Sequence, residues 1–283
     1  MRTLIIDKKY DGKKLDSVLL NEFSGLTINS LYKALRKKDI RINNIKINKN
    51  TMVHSGDEIK IFIPEEALSN NIINKNSILY EDSNIIAIDK PSGMEVTGNN
   101  SLTSSLSSFL GYNVFPCHRL DRNTTGVILF AKNEDVLAIL FNKFKNHEIE
   151  KHYTCEVYGI PKEKHKILTD FLFKDNKKSL VYISNVPKKG YVKIITEYTI
   201  ISSNINSNTS KLDIILHTGK THQIRAHLAY YGYPILGDGK YGINEINKKF
   251  KLKHQVLSSY SLEFKFTTPS GILEYLNGTI IHI

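Results

Sequence analysis

The apolar periodicity of this chain breaks over residues 64–77 (PEEALSNNIINKNS), where a proline leads into Asn- and Ser-rich sequence, and this break divides what the chain can fold into. Before it, helical patterns precede small β-elements. Ser30 is placed to cap a helix with Leu31, Ala34 and Leu35 on one face and Lys33, Arg36 and Lys37 on the opposite face. Residues 41–47 read as two short strands about an Asn43-Asn44 turn, and Gly56-Asp57 turns into a strand over 58–63. After the break, short β-type runs dominate, at 85–88, 127–131, 153–158, 192–201 and 211–217, with helical stretches near 135–144 and 222–230. Residues 202–210 read as a polar loop between two strands. The expectation is a small α/β domain at 1–64, a linker at 65–77, and a mixed α+β domain at 78–283 with a largely antiparallel sheet. A chain of 283 residues suits two cores better than one.

The charge is uneven. Of a net +11, residues 1–64 supply +6, from 13 Lys/Arg against 7 Asp/Glu. A surface of this kind concentrates polyanions, so RNA or DNA is the first partner to consider. No run of about 18 apolar residues is present, and the N-terminal apolar stretch is too short for a signal peptide, so a cytoplasmic protein without membrane contact is expected. The two cysteines, Cys117 and Cys155, form no CxxC pair and are expected to be small buried hydrophobes. His222 and His227 stand at i, i+5, which on a helix separates them by about 140° and argues against a metal site. Thr218-Gly219-Lys220-Thr221 ends like a phosphate-binding loop, but Ile214 occupies the place of the required first glycine.

The densest reactive stretch is His118-Arg119-Leu120-Asp121-Arg122-Asn123-Thr124-Thr125-Gly126, followed by an apolar strand. An acid between two arginines is favoured in its ionised, nucleophilic form. Taken alone, the same residues read first as a loop held by an ion pair and by Asn/Thr turn chemistry, and only second as a reactive site.

The whole stretch resembles the HRLD-x-x-TSG signature of the RluA-type pseudouridine synthases, with Thr125 where Ser is usual. Three further segments match in the same order. Residues 85–93 (IIAIDKPSG) resemble the opening strand and KPSG turn, Lys151-His152-Tyr153 resembles K-x-Y, and residues 217–242 resemble the TGRTHQIRxHLA…G-PI-GD-YG segment, with Lys220 in place of Arg. The likeness continues through YSLEFKFTTP to about residue 269. It departs at Leu257-Ser258-Ser259, where the family commonly reads Leu-His-Ala. Residues 1–64 in turn resemble an S4-type RNA-binding domain, through KLDSVL, LYKALRKKDIRINN and SGDEIKI.

The resemblance implies conversion of uridine to pseudouridine in RNA, with Asp121 as nucleophile, Arg225 paired to it, and Tyr153 stacked on the uracil. It implies substrate contacts from Lys90, His118, Arg119, Thr124, His222, Gln223 and Ile224, and RNA contacts from Lys33, Arg36 and Lys37. The reaction breaks N1–C1′, turns the uracil and joins C5 to C1′, so no redox step, metal or cofactor is expected. Attack at C1′, addition at C6 and a glycal route all stay open. An S4-like domain points to large-subunit ribosomal RNA, and a monomer is expected. A transfer-RNA enzyme of the same family and a non-catalytic RNA-binding or ribosome-assembly factor are the alternatives.

Overall fold

The computed structural model describes residues 2–23, 25–63, 68, 73–98 and 101–283. The chain divides into two units, Met1–Asn74 and Lys75–Ile283. Residues 65–67 and 69–72 of the expected linker lie outside the described residues.

In the first unit, β1 (Arg2–Ile5) leads to α1 (Leu15–Glu22) and α2 (Ile28–Lys37), then β2 (Ile40–Ile42), β3 (Ile45–Ile47) and β4 (Glu58–Ile61). The sheet order is β1-β4-β2-β3, with a separate pairing of Lys13–Lys14 and Met52–Val53. The turn between β2 and β3 has Asn43 and Asn44 at φ 48° and 66°, a conformation Asn tolerates and one that matches the twist of a tight hairpin. Leu31, Ala34 and Leu35 are buried in this unit's core, and Lys33, Arg36 and Lys37 face solvent, as the helical spacing requires. Ser30 is not the cap. Thr27 takes that place in extended backbone (φ −91°, ψ 156°): its Oγ1 accepts from the Ser30 amide at 3.2 Å, and Ser30 Oγ accepts from the Thr27 amide at 2.9 Å. This reciprocal pair begins the helix three residues earlier than expected. The strand β1 was also not anticipated, because its partner lies more than fifty residues away in the chain.

The second unit is built on an eleven-stranded sheet. Its labelled elements are β5 (Ile78–Glu81), β6 (Ile85–Lys90), α3 (Leu102–Leu110), β7 (Thr125–Ala131), α4 (Glu134–Lys145), β8 (Ile149–Tyr158), β9 (His165–Asp175), β10 (Leu180–Ser184), β11 (Val192–Asn204), β12 (Thr209–Leu216), α5 (Gln223–Tyr230), α6 (Asn244–Lys249), β13 (Leu257–Phe264) and β14 (Ile280–His282). The order is β10-β9-β11-β12-β8-β13-β7-β6-β5, with β14 added to β13 and Phe115–Pro116 to β7. The pairing is antiparallel throughout except between β7 and β13. The mixed, largely antiparallel α+β class is therefore the one observed. Residues 202–210 are not a loop, because β11 and β12 carry their ladder to Asn204↔Thr209 and leave only a short turn.

Two strands place the site. The run 127–131 is buried on both faces, as expected for an unbroken apolar stretch; it pairs with β6 along its length and with Phe115–Pro116 at its end, while Thr125 and Gly126 pair with β13. Strand β8 alternates instead: Ile149, Lys151, Tyr153, Cys155 and Val157 are buried while their neighbours are not. Lys151 and Tyr153 thus share one face. Gly126 joins β7 to β13 at close range, with φ at +108°, and a Cβ there would lie 2.0 Å from the Ser259 carbonyl oxygen.

Candidate active site

Asp121 sits on a loop before β7 whose backbone is tied down from the KPSG turn. Gly93 donates its amide to the Arg122 carbonyl at 2.9 Å, Arg122 Nε donates back to the Gly93 carbonyl at 3.0 Å, and Ser92 Oγ reaches the Asn123 carbonyl at 3.3 Å. The buried Lys90 Nζ donates to the carbonyls of Pro91 at 2.8 Å and Arg122 at 2.9 Å. Burial lowers the Lys90 pKa to about 8, against the attraction of Asp121. Thr124 closes the turn, donating its amide to the Asp121 carbonyl at 3.0 Å.

The carboxylate of Asp121 meets Arg225 of α5, whose Nη1 donates to Oδ2 at 2.8 Å. The rest of that guanidinium is held by Asp238, which is fully buried. Nε donates to Asp238 Oδ2 at 2.7 Å and Nη2 to Oδ1 at 2.9 Å, while Oδ1 also accepts from the amides of Lys240 and Tyr241. A two-point fork of this kind fixes the guanidinium plane and aims the remaining nitrogen at Asp121. Burial would weaken the Arg225 charge, but the pairing with Asp238 and Asp121 outweighs it and holds its pKa above the ordinary value. The reading in which the adjacent Arg119 and Arg122 supply the charge beside Asp121 is corrected, since Arg119 is exposed and Arg122 is turned to Gly93; the paired guanidinium is that of Arg225, the partner the resemblance implied.

Asp121 lies on the wall shared by two cavities. One, of about 560 Å³, is lined by Tyr153, Leu257, Phe144 and Lys151 as well as by most of the anticipated residues: His118, Arg119, Thr124, His222, Gln223, Ile224 and Arg225. The other, of about 630 Å³, is more polar and takes in Arg119, Arg122, Lys240, Lys253 and Gln255. Both fall within the range of about 300–1,000 Å³ usual for ligand sites. Tyr153 is buried, which raises its phenol pKa, so it carries its proton at neutral pH. His222, at φ 53° just before α5, shares a hydrogen bond with the Tyr241 hydroxyl at 2.9 Å, and its Nε2 lies 4.0 Å from Asp121 Oδ2. Burial lowers the His222 pKa although Asp121 opposes it, favouring the neutral ring.

Several anticipated contacts are spent inside the protein. Lys90 does not line either cavity, because both of its hydrogen bonds secure the Asp121 loop. Gln223 uses its amide on the Ile195 carbonyl and Thr196 Oγ1 and its oxygen on Thr218 and Lys220, so it braces the wall it lines. His118 accepts from the Leu129 amide at 3.0 Å and packs on the Phe144 ring. Burial, reinforced by Lys151, lowers its pKa to about 3 and keeps it neutral. His227 lies between Thr196 Oγ1 and Asp170 Oδ2, each at 2.9 Å. Lys33, Arg36 and Lys37 belong to the first unit and are exposed on α2.

Cys117 and Cys155 are both buried free thiols. At the departure 257–259, Leu257 lines the first cavity and the buried Ser259 stands opposite Tyr153 in the β8–β13 register, where its hydroxyl opposes the rise that burial gives the Tyr153 pKa. Asp238 was not singled out from the sequence, although it stands within the matched segment 217–242. Among the described residues, Glu150, His152 and Glu263 could group about a metal ion, but both carboxylates are ion-paired to Lys265.

Comparison with known proteins identifies the family. The family model described as RNA pseudouridylate synthase matches residues 84–230. The chain is 33% identical to the ribosomal large subunit pseudouridine synthase C of Buchnera aphidicola subsp. Baizongia pistaciae, over 92% of this chain and 88% of that one. It is 29% identical to the protein of the same name from Haemophilus influenzae, over 100% of this chain and 92% of that one. The fold is shared with Human RNA Pseudouridylate Synthase Domain Containing 4, at a TM-score of 0.60 and 22% identity over 74% of this chain and 88% of that one. The chain belongs to the RNA pseudouridylate synthase family, as its RluA-type motifs led one to expect, and is an RNA pseudouridine synthase.

Proposed function

We propose that this enzyme isomerises uridine to pseudouridine in large-subunit ribosomal RNA, with Asp121 as its nucleophilic carboxylate and no cofactor. The observation that carries the reading is the Asp121–Arg225 pair at 2.8 Å, held from behind by buried Asp238 at the junction of two cavities. A target uridine leaves its stack, at a cost of a few kcal/mol, and enters the cavity lined by Tyr153, where stacking returns about 1–3 kcal/mol. Its ribose then faces Asp121. Arg225 orients the carboxylate, and the loop clamp from Lys90 to Gly93 keeps that orientation as the uracil turns.

Both bonds exchanged belong to the substrate, so the chemistry calls for no redox partner and no group carrier. The Tyr153 hydroxyl, protonated and buried, is suited to relaying the C5 proton. Residues 1–64 serve as an S4-like RNA-binding domain, with Lys33, Arg36 and Lys37 on the phosphates, and the protein acts as a cytoplasmic monomer. Support for ribosomal over transfer RNA comes from the relatives of about 30% identity, which are named for the large ribosomal subunit.

Mapping pseudouridine in total RNA from cells with and without the gene tests the substrate. The expected result is loss of one or more large-subunit ribosomal sites. Loss confined to transfer RNA would overturn the ribosomal reading, and no loss at all would favour a binding or assembly role.

A further inference from the structure

Lys151 is the part of the K-x-Y segment to which no role has been given. Its side chain shares the β8 face of Tyr153, two residues away, and lines the cavity next to Asp121. It is 8% exposed. Among the described residues its ammonium has no hydrogen bond and no ion pair; it lies 5.8 Å from the centroid of the Phe144 ring. Glu150, its neighbour in sequence, points to the other face and is engaged by His152 at 2.9 Å and Lys265 at 3.0 Å. His118 on the same wall is neutral. A largely buried lysine with no ion pair or hydrogen bond of its own is costly to fold, and burial lowers its pKa against the attraction of Glu150. Such a cost is offset when a ligand brings negative charge to it.

The surroundings indicate what kind of ligand. The cavity that Lys151 lines is also walled by Tyr153, Phe144, Leu216, Ile224 and Leu257, a lining suited to a flat ring. The exposed Lys145, His147 and Lys220 also line this cavity and suit hydrated phosphates better. The reaction itself creates charge on the ring. When N1–C1′ breaks, its electron pair stays on the uracil and spreads over N1, O2 and O4, while C1′ bonds to the Asp121 carboxylate or the sugar loses its 2′ proton. Addition at C6 instead places the charge on an enolate at O4. Each route discharges it as C5–C1′ forms, the C5 proton leaves and N1 gains a proton.

We propose that the Lys151 ammonium contacts the pyrimidine of the flipped uridine and stabilises the negative charge that the ring carries between cleavage of N1–C1′ and formation of C5–C1′. This rests on the reading of Asp121 as the essential carboxylate. Charge that develops only during reaction is where a fixed cation placed beside it contributes most.

The test compares full-length wild type with Lys151→Met and Lys151→Arg, measuring single-turnover rates at saturating RNA and RNA dissociation constants. Lys151→Met is expected to slow turnover by about 100-fold while RNA affinity stays within about twofold. Lys151→Arg is expected to recover most of the rate. With 5-fluorouridine at the target, whose fluorine stabilises the ring anion, the methionine variant's deficit is expected to shrink, read as loss of unrearranged 5-fluorouridine. If Lys151→Met fails to fold, Lys151→Gln carries the same comparison. A wild-type rate, or a deficit unchanged by 5-fluorouridine, would overturn the proposal. Weakened binding with an unchanged rate would also overturn it and assign Lys151 to a phosphate. Asp121→Asn run in parallel separates the two claims, since an active Asp121→Asn defeats the underlying site reading and not Lys151 alone.

Discussion

Asp238→Asn removes one charge from the arrangement that aims Arg225 while keeping the volume of the side chain. The Asp238 carboxylate accepts four hydrogen bonds, two from the Arg225 guanidinium and two from the amides of Lys240 and Tyr241. An asparagine that keeps its oxygen on the two amides presents its NH₂ to Arg225 Nε, donor against donor. Breaking a buried pair costs about 3–5 kcal/mol, and Arg225 retains Asp121, so a loss of about 2–4 kcal/mol is expected. Burial raises the Asp238 pKa, but Arg225 outweighs it and the value lies below 3.8. The stabilisation is therefore complete above that pH and is lost as pH falls through the lowered value, so the difference between the two proteins should narrow in acid. With Arg225 no longer fixed from behind, a displacement of about 1 Å at Asp121 would cost about 100-fold in turnover. Urea unfolding and single-turnover pseudouridylation on the same preparations read both effects. A variant that turns over within twofold of wild type, with RNA affinity unchanged, would refute the claim that Asp238 positions Arg225.

Gly126→Ala would force a Cβ to within 2.0 Å of the Ser259 carbonyl at φ +108°; an expected loss of more than about 2 kcal/mol is read by urea unfolding, and a neutral result would contradict the close packing of β7 on β13. Glu148 is buried, which raises its pKa, but Lys143 at 2.7 Å, Thr268 and two backbone amides hold it down at about 2. Its contribution is full above pH 4.5 and fades toward pH 2, so the gap in thermal midpoint between wild type and Glu148→Gln should close across that window. Replacing Lys33, Arg36 and Lys37 together with alanine should weaken RNA binding and flatten the log–log salt dependence by about 2, from about 0.7 per lost contact to single-stranded RNA. An unchanged slope would remove α2 from the RNA interface.

What the sequence made legible was local. The two apolar periods, the Asn43-Asn44 hairpin and the buried face of α2 depend on residues a few positions apart, and each was found where expected. The strand β1 escaped because its pairing to Glu58–Ile61 is long-range, and the N-cap moved to Thr27 because either hydroxyl of the Thr27–Ser30 pair satisfies the local pattern. At the site, the motif order placed Asp121, Tyr153 and Arg225 on one cavity. The same motifs could not tell a residue that faces substrate from one that secures the loop. Lys90 and Gln223 stand in the matched segments and yet use their hydrogen bonds inside the protein. Nor did spacing show that the charge beside Asp121 comes from a residue 104 positions away and not from the adjacent arginines.

The central claim is that the carboxylate of Asp121 is essential to the isomerisation. Asp121→Asn keeps the shape of the side chain and an oxygen for Arg225, so RNA affinity should hold within about twofold while pseudouridine formation on a target transcript, followed over a single turnover, falls below detection. Turnover at the wild-type rate by the asparagine protein would contradict the account.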